Sequence, residues 1–192
     1  MPELILASTS PYRRELFTRL GIPFRCEAPV CDEEAIKKEG HAPRELAERL
    51  AALKAQSLAG KHPGAILIGS DQLASGPAGI LGKPGTRAAA LAQLEALSGR
   101  THELITALAV WRDGRLWMHT DVARLTMRAL TRAELERYVD ADRPFDCAGS
   151  YRLEARGIAL FERIDAEDHS AIVGLPLMAL AGQLRTLGLE VP

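Results

Sequence analysis

The sequence predicts an α/β fold built on a mixed β-sheet, and three observations carry that prediction. In the first hundred residues, short apolar runs alternate with segments whose leucines recur at helical spacing, the pattern of strand–helix units. The run Ala65-Ile66-Leu67-Ile68 is continuously apolar, as a strand buried on both faces requires. Further on, Asp113-Gly114 stands between two strand-like segments, a strong hairpin signal that adds antiparallel pairing to a sheet otherwise assembled in parallel.

The elements follow in order. Leu4-Ile5-Leu6-Ala7 reads as a short buried strand. Ser10 is a natural N-cap, Pro11 suits the first helical position, Leu16 and Leu20 share a face, and Gly21 closes the helix. Phe24 to Glu27 is a short strand, followed by an acidic loop at Cys31-Asp32-Glu33-Glu34. A helix over Pro43 to Ala59 places Leu46, Leu50 and Leu53 on one face and ends at Gly60 and Pro63. After the strand at Ala65–Ile68 come a helix from Thr86 to Leu97 and strands over Leu104–Trp111 and Leu116–Arg128. Thr131 caps a helix to about Val139, Ile158 to Ile164 is a strand, and Leu177 to Leu187 forms the closing helix.

A chain of 192 residues is one large domain or two joined lobes, long enough for a sizeable core. The formal net charge of -1 argues against a nucleic-acid binder that works by bulk charge, although a compact anion needs only a local basic pocket. Three cysteines without zinc spacing are read as reduced thiols in a cytoplasm. No apolar run approaches the roughly 20 residues that span a membrane.

The residues of greatest chemical interest are Arg13 and Arg14. Both fall in the first turn of a helix, at the positive end of its dipole, where a cation loses roughly 0.3–1 kcal/mol. Arg13 even takes the place where a capping box would put Glu. Two cations, a Ser/Thr-rich turn and free backbone N–H groups make a socket for phosphate; the plain alternative is a solvated pair offset by Glu15. Asp71 follows the buried strand directly and so would lie beyond a strand's carboxyl end, a position for catalysis, metal binding or a simple turn. Gly69 would let the backbone come close to a bound ligand. Lys54 lies on the apolar edge of its helix, aimed into the fold or snorkelling from it. Lys83 sits in a tight Gly-Lys-Pro turn, and Glu33 in an acidic loop that is either solvated or metal-binding. Cys147 has no evident histidine partner and reads as packed rather than nucleophilic.

Taken together, these segments resemble the Maf-like nucleotide pyrophosphatases. The likeness runs through Leu6-Ala7-Ser8-x-Ser10-Pro11-x-Arg13-Arg14, Lys54-Ala55, Gly69-Ser70-Asp71-Gln72 and Gly82-Lys83-Pro84. It continues in Leu97-Ser98-Gly99, Cys147-Ala148-Gly149-Ser150 and Val173-Gly174-Leu175-Pro176-Leu177. The resemblance implies a single Maf-like domain over residues 1–192, with a mixed twisted sheet flanked by helices in two lobes around a cleft, often in homodimers. It implies hydrolysis of a nucleoside triphosphate to the monophosphate and pyrophosphate with a divalent cation, Mg²⁺ or Mn²⁺. By that likeness Asp71 accepts the proton of the attacking water, and Ser10, Arg13, Arg14, Lys54 and Lys83 hold the triphosphate. Glu33 and Asp71 are associated with the metal.

Gly-Ser-Asp-Gln and Cys-Ala-Gly-Ser resemble the branch that acts on 7-methyl-GTP, whereas the branch acting on dTTP and UTP usually carries Ala-Asp-Thr at the first site. Tyr12, Gln72 and Glu154 match the positions that set base specificity. This chain has Tyr12 where Trp is common, and Arg152-Leu153 in place of a Lys-Ser pair. The expected partner is therefore a small nucleotide, with no nucleic-acid polymer and no membrane. Alternatives are a dTTP/UTP pyrophosphatase and a non-catalytic nucleotide-binding regulator of septum formation.

Overall fold

The computed structural model describes residues 2–77 and 79–191. Its elements in chain order are β1 (Leu4–Ala7), α1 (Pro11–Thr18), β2 (Arg25–Glu27), α2 (Glu33–Lys38), α3 (Pro43–Gln56), β3 (Ile66–Gly76) and β4 (Gly79–Leu81). There follow α4 (Arg87–Leu97), β5 (Thr101–Arg112), β6 (Arg115–Met127), α5 (Arg132–Asp142), β7 (Phe161–Asp165), α6 (His169–Val173) and α7 (Leu177–Thr186). Hydrogen bonds order the sheet β2-β1-β3-β5-β6-β7, with β4 paired to β3. β1 runs parallel to β2 and β3, while β4 and β7 pair antiparallel to their neighbours, so the sheet is mixed as the sequence predicts.

The helix caps are local sequence effects. Ser10, Thr86 and Thr131 each accept a hydrogen bond from the third residue of the helix they open, and Thr131 forms a reciprocal capping box with Glu134. The β5–β6 hairpin turns at Asp113 (φ 47°) and Gly114 (φ 81°), the two positive angles of a type I′ turn.

Three expectations need correction. β3 does not end at Ile68 but runs on to Gly76, so Asp71 lies within the strand rather than after it. Pairing with β1 stops at Leu6↔Ile68, and the extension lies beside β5, with β4 pairing antiparallel from Ala74 to Gly76. The acidic stretch is not a loop: Asp32 caps α2, whose first turn carries Glu33 and Glu34 and whose last carries Lys37 and Lys38, both favourable to its dipole. The last strand starts at Phe161, because residues 156–160 form a 3₁₀ turn.

The chain forms two compact units. The first comprises residues up to Gln72, Thr106–Asp121 and the chain from Asp168 onward; the second comprises Leu73–Ile105 and Val122–Glu167. In the first, Leu4, Leu6, Ile66 and Ile68 bury one face against Leu16 and Phe17 of α1 and Leu180 and Leu184 of α7. Each such side chain removed from water contributes about 1.5–3 kcal/mol. In the second, Leu91 and Leu94 of α4 and Leu135 and Val139 of α5 are buried together with Leu125, Tyr151 and Phe161.

His102 is buried in the second unit beside Tyr151 and Phe161, with Nε2 hydrogen-bonded to the Tyr151 hydroxyl at 2.8 Å. Among the described residues its Nδ1 has no partner. A charged ring would carry a donor on both nitrogens, and burial holds the pKa down to about 4 from an ordinary 6.5. Between those values the unfolded chain binds a proton that the native state refuses, so stability falls as pH drops from 6.5 towards 4. The full loss is about 3 kcal/mol at 1.36 kcal/mol per pH unit. Denaturant titrations at pH 7 and pH 4.5 are expected to show this slope in the wild type and a shallower one in His102→Gln; equal slopes would exclude His102 as its source.

Candidate functional site

The site in the first unit begins with a glycine. A Cβ on Gly69 would stand 2.2 Å from the Ala51 carbonyl oxygen and 2.7 Å from the Ala55 nitrogen. Gly69 therefore serves the close approach of α3 to β3 and not, as the sequence suggests, the approach of a ligand. That approach brings Lys54 of α3 over Asp71 of β3. The Lys54 ammonium is buried and donates to Asp71 Oδ1 at 2.6 Å.

Glu33, in the first turn of α2, reaches the same ammonium at 3.2 Å. Ser57 ties this region together: its hydroxyl donates to the Lys54 carbonyl and accepts from the Val30 N–H. Two carboxylates thus converge on one lysine. Buried charges of this kind are retained at a desolvation cost of several kcal/mol per ion, which an apolar cluster would avoid.

The arginines diverge. Arg13 Nε donates to the Gly174 carbonyl at 2.9 Å. Burial lowers the Arg13 pKa from the ordinary arginine value, while the negative charges of Asp71 and Glu33 pull it back up. Arg13 therefore shares the electrostatic field of the carboxylate pair. Arg14 is exposed. The dipole penalty predicted for both is offset for Arg13 by its Gly174 bond and is left uncompensated by any ion pair for Arg14 among the described residues. Ser10 is half-buried and its side chain caps the helix.

Gln72 faces the scaffold with its amide nitrogen, which donates to Thr106 Oγ1, Ala171 O and Ile172 O within 3.0 Å. Its donor end is committed to holding α6. Tyr12 is half-buried on α1. Lys83 and Glu154 belong to the second unit, and both are exposed. Cys147 accepts from Arg152 Nε at 3.4 Å, and burial raises its thiol pKa, against nucleophilic use.

Sequence reasoning missed the elements that brace the site. Ser70 is wholly buried and donates to the Gly174 carbonyl at 2.9 Å. Asp168 caps α6, accepting from the Ser170 N–H and from the Met178 N–H, each at 2.8 Å. The signal was present as an Asp cap before His-Ser-Ala-Ile-Val and a glycine stop.

Chemically, the site offers hard oxygen donors beside fixed cations. Among the described residues no three His, Cys, Asp or Glu side chains gather as a closed metal cage. A pair of carboxylates suits an Mg²⁺-class ion, which keeps waters and completes its shell with phosphate oxygens. Glu33 and Asp71, which share the single ammonium of Lys54, fit that donor set.

The chain as a whole is similar to several known proteins. A "7-methyl-GTP pyrophosphatase" of Xanthomonas oryzae pv. oryzae is 50% identical over 192 residues, covering all of both chains. Proteins of the same name from Bdellovibrio bacteriovorus and Pseudomonas aeruginosa are 47% and 43% identical, over 97% and 100% of this chain and 98% and 100% of theirs. A HAM1 protein from Coxiella burnetii is similar in structure at 17% identity and a TM-score of 0.49, over 97% of this chain and 100% of that one. The family model described as Maf-like protein matches residues 3–187, and this chain belongs to the Maf family.

Proposed function

We propose that this chain is a nucleoside triphosphate pyrophosphatase acting on 7-methyl-GTP, releasing the nucleoside monophosphate and pyrophosphate. The observation that carries the reading is the buried Lys54 held by Asp71 and Glu33, with Arg13 in the same electrostatic field. The names of relatives at 43–50% identity support it.

Asp71 is the proton acceptor. Its Oδ1 accepts from Lys54, which fixes the carboxylate; Oδ2 is then the oxygen assigned to take the proton of the water. The water attacks the α-phosphorus, its proton passes to Asp71, and the bond from that phosphorus to the α,β-bridging oxygen breaks. Pyrophosphate leaves with the bridging oxygen. Arg13, Arg14, Lys54 and Lys83 neutralise the phosphates, and the Ser10 turn supplies polar contact. Glu33 and Asp71 would hold a divalent cation, which when bound spreads and neutralises phosphate charge.

The base is read by Tyr12, Gln72 and Glu154. Methylation at N7 makes guanine cationic, and an aromatic face attracts such a ring by about 0.5–2 kcal/mol. A carboxylate accepts from the guanine N1–H and amine together, an edge that thymine and uracil lack. The substrate is a free nucleotide in the cytoplasm rather than a polymer.

The test is pyrophosphate release with Mg²⁺ or Mn²⁺ from 7-methyl-GTP, GTP, dTTP and UTP. The expected kcat/KM for 7-methyl-GTP exceeds that for GTP by at least about 10-fold, the order set by one methyl and its charge. In Glu154→Gln the preference for the guanine substrates over dTTP and UTP is expected to shrink. Equal values for 7-methyl-GTP and dTTP would move the assignment to the other branch, and nucleotide binding without pyrophosphate release would leave a regulator.

A further inference from the structure

Arg13 and the strand that bears Asp71 are tied to one atom. The Gly174 carbonyl oxygen accepts from Arg13 Nε and from Ser70 Oγ, both at 2.9 Å, which fills its two lone pairs. Ser70 is the residue before Asp71 and is wholly buried. A short path therefore runs from the carboxylate through the Ser70 hydroxyl and the Gly174 carbonyl to the guanidinium. Because Nε is the nitrogen used, the terminal amines of Arg13 are left as a planar fork for an anion.

The carbonyl itself is held still. Gly174 ends α6 at φ 121°, a conformation that L side chains rarely adopt. A Cβ there would meet nothing nearer than Arg13 Nε at 3.5 Å, so the glycine serves the turn and not the space. Gln72 and Thr106 fix α6 through the Ala171 carbonyl, and Asp168 fixes both the start of α6 and the start of α7.

We infer that Ser70 and the Gly174 peptide are positioning residues that aim the Arg13 guanidinium at the triphosphate in register with Asp71. This rests on the pyrophosphatase reading above. Neither group need touch the nucleotide; each acts through Arg13, and misplacement of a bound group by about 1 Å can cost on the order of 10²-fold in rate.

The experiment is a double-mutant cycle on pyrophosphate release from 7-methyl-GTP with thermal unfolding in parallel. Ser70→Ala is expected to lower kcat more than it raises KM, by about 10-fold or more. In an Arg13→Ala background the same change is expected to add less than about twofold, because the group it acts through is gone. Gly174→Ala, read in the same two backgrounds, keeps the cycle decisive if Ser70→Ala fails to fold. An unchanged rate in Ser70→Ala, or an equal loss with and without Arg13, would overturn the positioning role. A wild type that releases no pyrophosphate from any nucleotide would instead overturn the function on which the inference rests.

Discussion

Asp71→Asn is expected to fold normally and to lose about 10²–10⁴-fold in turnover, the range contributed by a positioned general base. The substitution keeps size and leaves an amide oxygen to accept from Lys54, while Glu33 at 3.2 Å keeps the ammonium paired. Binding of 7-methyl-GTP to the variant should therefore persist while pyrophosphate release does not. The check is nucleotide binding and single-turnover release on the same preparation. A variant that turns over at the wild-type rate removes Asp71 from the chemistry.

Lys54→Met is expected to damage both fold and function. Breaking a buried ion pair by removing one partner costs about 3–5 kcal/mol, because the remaining charge is left uncompensated. Here two carboxylates would be left facing each other. Losing one preorganised cation at the phosphates should also lower the rate by on the order of 10²-fold. The double variant Lys54→Met/Asp71→Asn should regain part of the lost stability, since it removes one stranded charge. Denaturant unfolding of the single and double variants checks this. If Lys54→Met alone is as stable as the wild type, the lysine does not hold the carboxylates together.

Much of this was legible in the sequence because its causes are local. The caps at Ser10, Thr86 and Thr131, the Asp113-Gly114 turn and the apolar run before Gly69 depend on a few adjacent residues, and the structure follows each. Arg13 and Arg14 could be singled out from helix-end electrostatics alone, but not told apart. Their difference lies in the Gly174 carbonyl, 161 residues away from Arg13. The extension of β3 through Asp71 was hidden for a related reason. Apolar patterning stops at Ile68, whereas the strand is continued by backbone pairing with its neighbours β5 and β4.

Gly69 shows the limit most clearly. A glycine beside a polar strand end looks the same whether a ligand or a helix approaches it, and only packing reveals that α3 does. The short helix α2 lacks apolar periodicity altogether, yet its acids at the start and lysines at the end carry a charge signature that a dipole argument could have used. Pairing of Lys54 with Asp71 and Glu33 is tertiary, and it is the feature on which the functional reading turns.

The most direct measurement is the fate of the water oxygen. Hydrolysis of 7-methyl-GTP in H₂¹⁸O, stopped within a single turnover, is expected to place the label in the nucleoside monophosphate and none in pyrophosphate. That result follows if the water beside Asp71 attacks the α-phosphorus. Label in pyrophosphate, or release of labelled inorganic phosphate in its place, would contradict it by putting the attack at the β- or γ-phosphorus.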